Sequence, residues 1–440
     1  MKINFTLTLA SGLLPLVMFS CGSMNKNEAS SGQSTTASRE EAEYGKTVDL
    51  QEPFATPSIN KYAVIVGWKE GEAPVAPAGY KVVRFAEGLN SPRNIYVAAD
   101  GRVFVAQSRT EERDQSDDYL NARNIYRSAS PDEILVFQDN DADGRADGKK
   151  VFLSGLKQPY GMLILNEQFY VANTDGLVRY GYDSKSGELK ATAGEKIVQF
   201  PAGGYNNHWT RNIISNQTGD KILISIGSGS DVGENGMENE VRRAAILEVN
   251  PDGSAEQIFA HGIRNPVGMD IEPHTGHLWT AVNERDKLGD QLVPDYITSV
   301  QEGKFYGWPY YYWGMNQEPR WKDSMPDNLP NSLKPDFALG AHTASLGLSF
   351  NKIDGFKTGA YIGQHGSWNR SEFEGYKVAF VPFRDGKPAG KIENFLTGFI
   401  ADKDKKEVHG RPAAVVFTKN YMLVADDAAN VIWAVIPESE

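Results

Sequence analysis

Two sets of side chains in this sequence have types and spacings suited to chemistry. One is scattered along the chain: the arginines Arg93, Arg211, Arg264 and Arg411, the histidines His208, His342 and His365, and Asn265. If the fold gathers them, cations and imidazoles crowd together in a protein that is acidic elsewhere. Their mutual repulsion then predicts a bound anionic group. The other set is contiguous: Asp139-Asn140-Asp141-Ala142-Asp143-Gly144-Arg145-Ala146-Asp147. Carboxylates stand at positions 1, 3, 5 and 9 of this run with glycine at 6, the first part of a calcium loop. Hard oxygen donors favour calcium over transition metals, so Asp139, Asp141, Asp143 and Asp147 are candidate ligands. Position 12 is Lys150 where a full EF-hand has a bidentate glutamate, so the loop is a shorter version. No Gly-x-Ser-x-Gly elbow and no phosphate-cradling glycine loop occurs, which leaves serine hydrolysis and nucleotide binding without support.

Positioning the scattered set falls to an internal repeat. From about Tyr80 onward, a small or proline anchor, an apolar strand, a turn and a second apolar strand recur six times. The copies open at Pro92, Pro159, Thr210, Pro266, Ser345 and Pro412, at intervals of 51 to 79 residues. Their second strands run out at Gln107, Asn173, Gly227, Asn283, Gln364 and Asp426. Breakers such as Asp100-Gly101, Thr275-Gly276 and Asp354-Gly355 mark the turns. The composition agrees, with 43 Gly, 22 Pro, 8 Trp, 19 Tyr and 20 Phe favouring short strands and tight turns. Six strand-rich units predict an all-β fold, a six-bladed β-propeller, in which radial repetition protects the sheet edges. In an antiparallel hairpin the start of the first strand and the end of the second lie at the same end. Residues just before each anchor therefore share one face with residues just after each second strand. His208, Arg264, Asn265, His342 and Arg411 hold the first kind of position. Glu284-Arg285-Asp286, His365 to Trp368 and Asp427 hold the second.

The chain has 440 residues with 45 basic and 57 acidic side chains, a net charge of −12, which argues against a nucleic-acid partner. Its opening, Met1-Lys2 followed by an apolar stretch to Phe19-Ser20, reads as a secretory signal over residues 1–21. Cys21, the only cysteine, follows that stretch directly and resembles the lipidated cysteine of a bacterial lipoprotein, so the protein is expected outside the cytoplasm on a lipid anchor. No thiol pair exists for a disulfide. Residues 22–60 begin rich in Ser, Thr, Glu and Asn and are expected as a flexible tether, with the propeller over 75–440.

Longer motifs add a resemblance. Gly203-Gly204-Tyr205-Asn206-Asn207-His208-Trp209-Thr210-Arg211-Asn212 resembles the catalytic histidine segment of soluble pyrroloquinoline-quinone (PQQ) sugar dehydrogenases. Gly262 to Gly268, Val282 to Asp290 and Phe305-Tyr306-Gly307-Trp308-Pro309 fit the same superfamily. Gln364-His365-Gly366-Ser367-Trp368-Asn369-Arg370 is most similar to its sorbosone and pyranose dehydrogenase branch. The resemblance covers roughly Tyr80 to Val435 and implies a six-bladed propeller that oxidises a sugar, aldose or sugar-derived aldehyde with PQQ. By carry-over, His208 is the general base, for which an imidazole with an ordinary pKa of about 6.5 is suited. Arg264 and Asn265 lie by the quinone oxygens, where positive charge stabilises the developing anion. Arg411 grips a cofactor carboxylate, Arg93 and Arg211 are further contacts, and His342, His365 and Trp368 face the site with Trp368 stacked on the quinone. The family's calcium ion against the quinone falls near Arg285-Asp286, where the usual Gly-Pro pair is absent. The aromatics of Pro309 to Trp321 either stack on a sugar or pack. The small-molecule partner is a sugar, and no haem-attachment motif marks the electron acceptor. Two rivals are a calcium-dependent lactonase, which needs a central Asp/Asn/Glu cage, and a non-catalytic carbohydrate- or protein-binding propeller.

Overall fold

The structure, a computed structural model, describes residues 43–110 and 129–438. Cys21 and the leader lie outside the described residues. Among those described, no helix is long and apolar enough to cross a membrane. Nearly all regular structure is antiparallel β, in six sheets of four or five strands and two smaller ones.

Each anchor opens a strand that pairs antiparallel with the second strand of its copy. Pro92–Val97 pairs with Val103–Gln107, and Gly161–Leu165 with Gln168–Asn173. Arg211–Ser215 pairs with Ile222–Ile226, and Pro266–Ile271 with Leu278–Val282. Ser345–Phe350 pairs with Gly359–Gln364, and Pro412–Phe417 with Met422–Asp426. The second strands are mostly apolar, and Val103–Gln107 and Ile222–Ile226 are buried throughout because they have a neighbour on each side and a sheet against each face. A third and a fourth strand follow in each sheet. In the last sheet the fourth place is taken by Tyr80–Ala86, which pairs antiparallel with the C-terminal strand Val431–Pro437.

The six first strands pack against one another in chain order, and Pro412–Phe417 in turn packs against Pro92–Val97. This close approach has a sequence cause. A Cβ on Gly161 would stand 2.7 Å from the backbone nitrogen of Ile213, and one on Gly268 would stand 2.4 Å from that of Leu348. Only glycine lets the first strands lie this near. Asn94 and Asn212 then tie neighbouring sheets, donating to the carbonyls of Tyr160 (3.0 Å) and Val267 (2.8 Å).

The N-terminal segment departs from expectation. Residues 43–60, assigned to a flexible tether, are held in the fold. Tyr44–Gly45 pairs with the strand Phe337–Ala341. Glu43 is buried in a fork with Arg370, at 2.7 and 2.9 Å. Thr56 Oγ1 accepts from the backbone nitrogen of Asp290 at 2.8 Å. Composition misleads here because the holding contacts are long-range and mostly to backbone groups, which need few apolar side chains.

Candidate active site

The hairpin ends converge on one cavity of about 550 Å³, within the range of ligand pockets. Arg93, Arg264 and Arg411 line it, the first from the strand Pro92–Val97 and the others from the loops just before Pro266–Ile271 and Pro412–Phe417, three different sheets. His208, Asn265, His342, His365 and Trp368 line it too, as does Asp286. Arg211 and Arg285 do not.

Arg211 is fully buried and braces the segment that presents His208. One guanidinium nitrogen donates to the carbonyls of His208 (2.6 Å) and Thr210 (3.0 Å), the other to Pro201 O (2.9 Å) and Asn206 Oδ1 (3.1 Å). Its expected cofactor contact is thus corrected to a supporting role. Arg285 is likewise corrected as a metal-site residue. It lies buried against Glu284 and Glu318 and donates to the carbonyls of Pro309 and Tyr311, both at 2.9 Å. The loop it holds packs inward, with Tyr312 and Trp313 in the core and none of Tyr310 to Trp313 on the cavity wall.

His208 Nδ1 lies 2.8 Å from the Ser228 carbonyl and 2.9 Å from Ser228 Oγ, which itself donates to Ser230 O at 2.6 Å. A carbonyl only accepts, so Nδ1 carries the proton and Nε2 keeps its lone pair. Burial, and then the charge of Arg264, hold the pKa well below 6.5. His208 is therefore a neutral base oriented by Ser228. Gly227, which sequence reading treated only as the end of a strand, makes the arrangement possible. A Cβ there would meet Asn265 Oδ1 at 2.4 Å and His208 Cβ at 2.6 Å.

A residue missed in the sequence organises Arg264. Asp231 Oδ1 accepts from Arg264 Nη2 (2.7 Å) and from the backbone of Asp286 (3.1 Å), while Oδ2 accepts from Arg320 (3.0 Å). Burial works against its charge, but Arg264 and Arg320 hold the carboxyl below the usual carboxylate range. Asp231 follows the second strand Ile222–Ile226, so the hairpin-end rule applied to that copy would have found it.

His342, at a φ of 61°, points Nδ1 at Asp286 Oδ1 (3.0 Å) and Nε2 at the Gly289 carbonyl (2.8 Å). Burial opposes its charge, yet Asp286 and that carbonyl outweigh it and raise the pKa. Both nitrogens donate. His365 behaves oppositely. Burial first, then Arg411, push it down to about 3, so its Nε2–H donates as a neutral ring to Asp427 Oδ1 at 2.7 Å. Arg93 donates to the other oxygen of Asp427. Arg411 donates to the carbonyls of His365 (2.8 Å) and Gly366 (2.9 Å). One face of Trp368 is covered by Tyr62, at 5.8 Å between ring centres and 3° between planes.

The expected mutual repulsion of cations is therefore corrected: Asp286 and Asp427, expected on this face, and Asp231, which was not, pair with them. What still suits a polyanionic guest is Arg411, whose guanidinium meets carbonyls, and the buried, unpartnered donor Arg93 Nε on the wall; Asn265 Oδ1, an acceptor, is also buried without a partner and suits a hydroxyl of the guest instead. A polycarboxylate quinone such as PQQ fits that donor set. A calcium cage of side chains in the cavity does not, because Asp231, Asp286 and Asp427 already face Arg264, His342, Arg93 and His365, and Glu234 accepts from the backbone of Asp231 and Val232. Among the described residues, the acidic group whose ligand atoms lie within 4.8 Å of one another is Asp139, Asp141 and Asp147, away from the cavity. Asp143 is not in that group and accepts from the Arg145 backbone at 2.8 Å. Asp139 Oδ2 accepts from Gly144 N at 2.9 Å and from Tyr421, while its Oδ1 is buried without a partner.

Comparison with known proteins agrees with this architecture. The TrAA12-like family model matches residues 74–312 and 311–438. A protein of Borreliella burgdorferi described as uncharacterized is 27% identical over 383 residues, spanning 82% of this chain and 90% of that one. The pyrroloquinoline quinone-dependent pyranose dehydrogenase of Coprinopsis cinerea is 22% identical over 351 residues. That match spans 69% of this chain and 44% of the relative, so the chain corresponds to under half of its length. The solved holo form of the pyranose dehydrogenase PQQ domain from Coprinopsis cinerea shares the fold, with a TM-score of 0.66 and 18% identity over 85% of this chain and 100% of that domain.

Proposed function

We propose that this chain, which belongs to the TrAA12-like family, is a PQQ-dependent dehydrogenase that oxidises the hemiacetal carbon of a sugar or aldose, or a sugar-derived aldehyde. The carrying observation is His208: neutral, fixed in its tautomer by Ser228, and set beside Arg264 and Asn265 on one cavity wall. PQQ, when bound, supplies the two-electron acceptor for the hydride leaving the sugar carbon. The remaining work belongs to the protein. His208 Nε2 takes the sugar hydroxyl proton, and the Ser228 carbonyl holds the ring as it becomes cationic. Arg411 and Arg93 Nε would hold the cofactor's anionic groups, and Arg264, fixed by Asp231 and the Asn283 carbonyl, would add positive charge beside the quinone oxygens. His342, His365 and Trp368 complete the wall.

The reading includes a closed six-bladed propeller, supported by the six sheets and by the packing of the last first-strand on the first. It includes calcium in the loop of Asp139, Asp141 and Asp147, supported by their converging oxygens. It includes export and a lipid anchor at Cys21, supported by the apolar leader.

The test is reconstitution with PQQ and calcium, followed by dye-linked oxidation of an aldose panel across pH. The expected result is turnover of at least one aldose. Because the pKa of His208 is lowered, its free base persists as pH falls past 6.5, so the acid limb of kcat/KM lies below 6.5. Absence of turnover with PQQ bound overturns the dehydrogenase reading.

A further inference from the structure

The matched family residues begin at 74, yet the cavity wall contains Asn60, Tyr62 and Ile65. These belong to a strap that crosses the loops carrying the site. Phe54 N donates to Leu288 O at 2.8 Å, next to Lys287 and Asp286. Asn60 Oδ1 accepts from Asn369 at 3.0 Å, and Lys61 N donates to Trp368 O at 2.7 Å. Val64–Ile65 forms a short parallel pairing with Glu407–Val408, just before Arg411. Trp68 Nε1 donates to Asp426 at 2.8 Å, beside Asp427. The loops it meets at Leu288, Trp368 and Asp426 carry the cavity residues Asp286, Lys287, Trp368 and Asp427, so its position is tied to theirs.

Chemically, the strap brings what the arginine wall lacks. Tyr62 lies parallel on Trp368, giving a flat aromatic surface with a phenol edge, and Asn60 adds an amide. Flat aromatic faces with a few polar groups at their margin suit a pyranose ring, which is apolar on its C–H faces and polar at its hydroxyls. None of Tyr310 to Trp313, the other source of such a surface, lies on the cavity wall.

We propose that the strap from Thr56 to Trp68 forms the sugar-recognition wall of the cavity, with Tyr62 as a specificity-determining residue and Asn60 as its polar companion. This rests on the dehydrogenase reading and deepens it: family residues hold the cofactor, and a segment outside the matched family residues selects the sugar.

The experiment compares wild type, Tyr62→Ala, Tyr62→Phe and Asn60→Ala as full-length holoprotein. Measured are kcat and KM over an aldose panel, PQQ affinity, and binding of 1-deoxyglucose, which has no hydroxyl to oxidise at that carbon, by saturation-transfer NMR. Tyr62→Ala is expected to raise KM for the preferred aldose about 10-fold, as lost contacts of 1–3 kcal/mol do. It should weaken the 1-deoxyglucose signal, reorder the panel and leave PQQ affinity within about 2-fold, and Tyr62→Phe should recover most of the KM. Equal loss for every sugar, or loss of PQQ affinity with KM unchanged, overturns the proposal. A wild type that binds PQQ and oxidises no aldose overturns the dehydrogenase reading and this inference with it. An active wild type with unaltered KM in Tyr62→Ala overturns this inference alone.

Discussion

His208→Ala is expected to lower kcat by about 10²–10⁴-fold, the usual worth of a positioned general base, while PQQ affinity changes little. The separation follows from the contacts. The ring is anchored by Ser228 rather than by a cofactor-gripping group, and it is neutral, so its removal takes no charge from the polyanion's surroundings. Added imidazole is expected to restore part of the rate, because the lost side chain leaves a space lined by Asn207, Arg264 and Asn265. Kinetics on photometrically verified holoprotein check this. A variant that loses PQQ and rate together would make His208 a binding residue instead.

Arg370→Ala is expected to lower unfolding free energy by about 3–5 kcal/mol, because one partner of a buried ion pair is left charged without the other. Arg370 and Glu43 are 2% and 1% exposed, and Arg370 also donates to the carbonyl of Ala341 at 3.0 Å. Replacing both partners with methionine is expected to recover most of that loss, since the cost lies in the stranded charge. Chemical denaturation of the three variants measures it. A single substitution that costs under about 1 kcal/mol, the worth of an exposed pair, would show that the N-terminal segment is not held as described.

What could be read beforehand divides by range. Hairpin anchors and turns are local, so the six first strands start within two residues of their expected positions. Backbone placement at hairpin ends is local as well, which is why His208, Arg264 and Arg411 come to one cavity. Side-chain direction is not local. Arg211 and Arg285 share the right backbone positions, but carbonyls of Pro201 and Pro309 draw their guanidinium groups away from the cavity. The pairing of cations with Asp231 and Asp427 depends on neighbours 33 and 334 residues distant. The strap was invisible for the same reason: its bonds reach Asp290, Trp368 and Asp426.

The central claim is that this cavity binds a flat polycarboxylate quinone. Titration of the protein with PQQ, followed by quenching of tryptophan fluorescence from the cavity residues Trp209 and Trp368, tests it most directly. The account predicts saturable uptake that Arg411→Ala weakens and His208→Ala does not. No quenching at any PQQ concentration, with or without calcium, would contradict it.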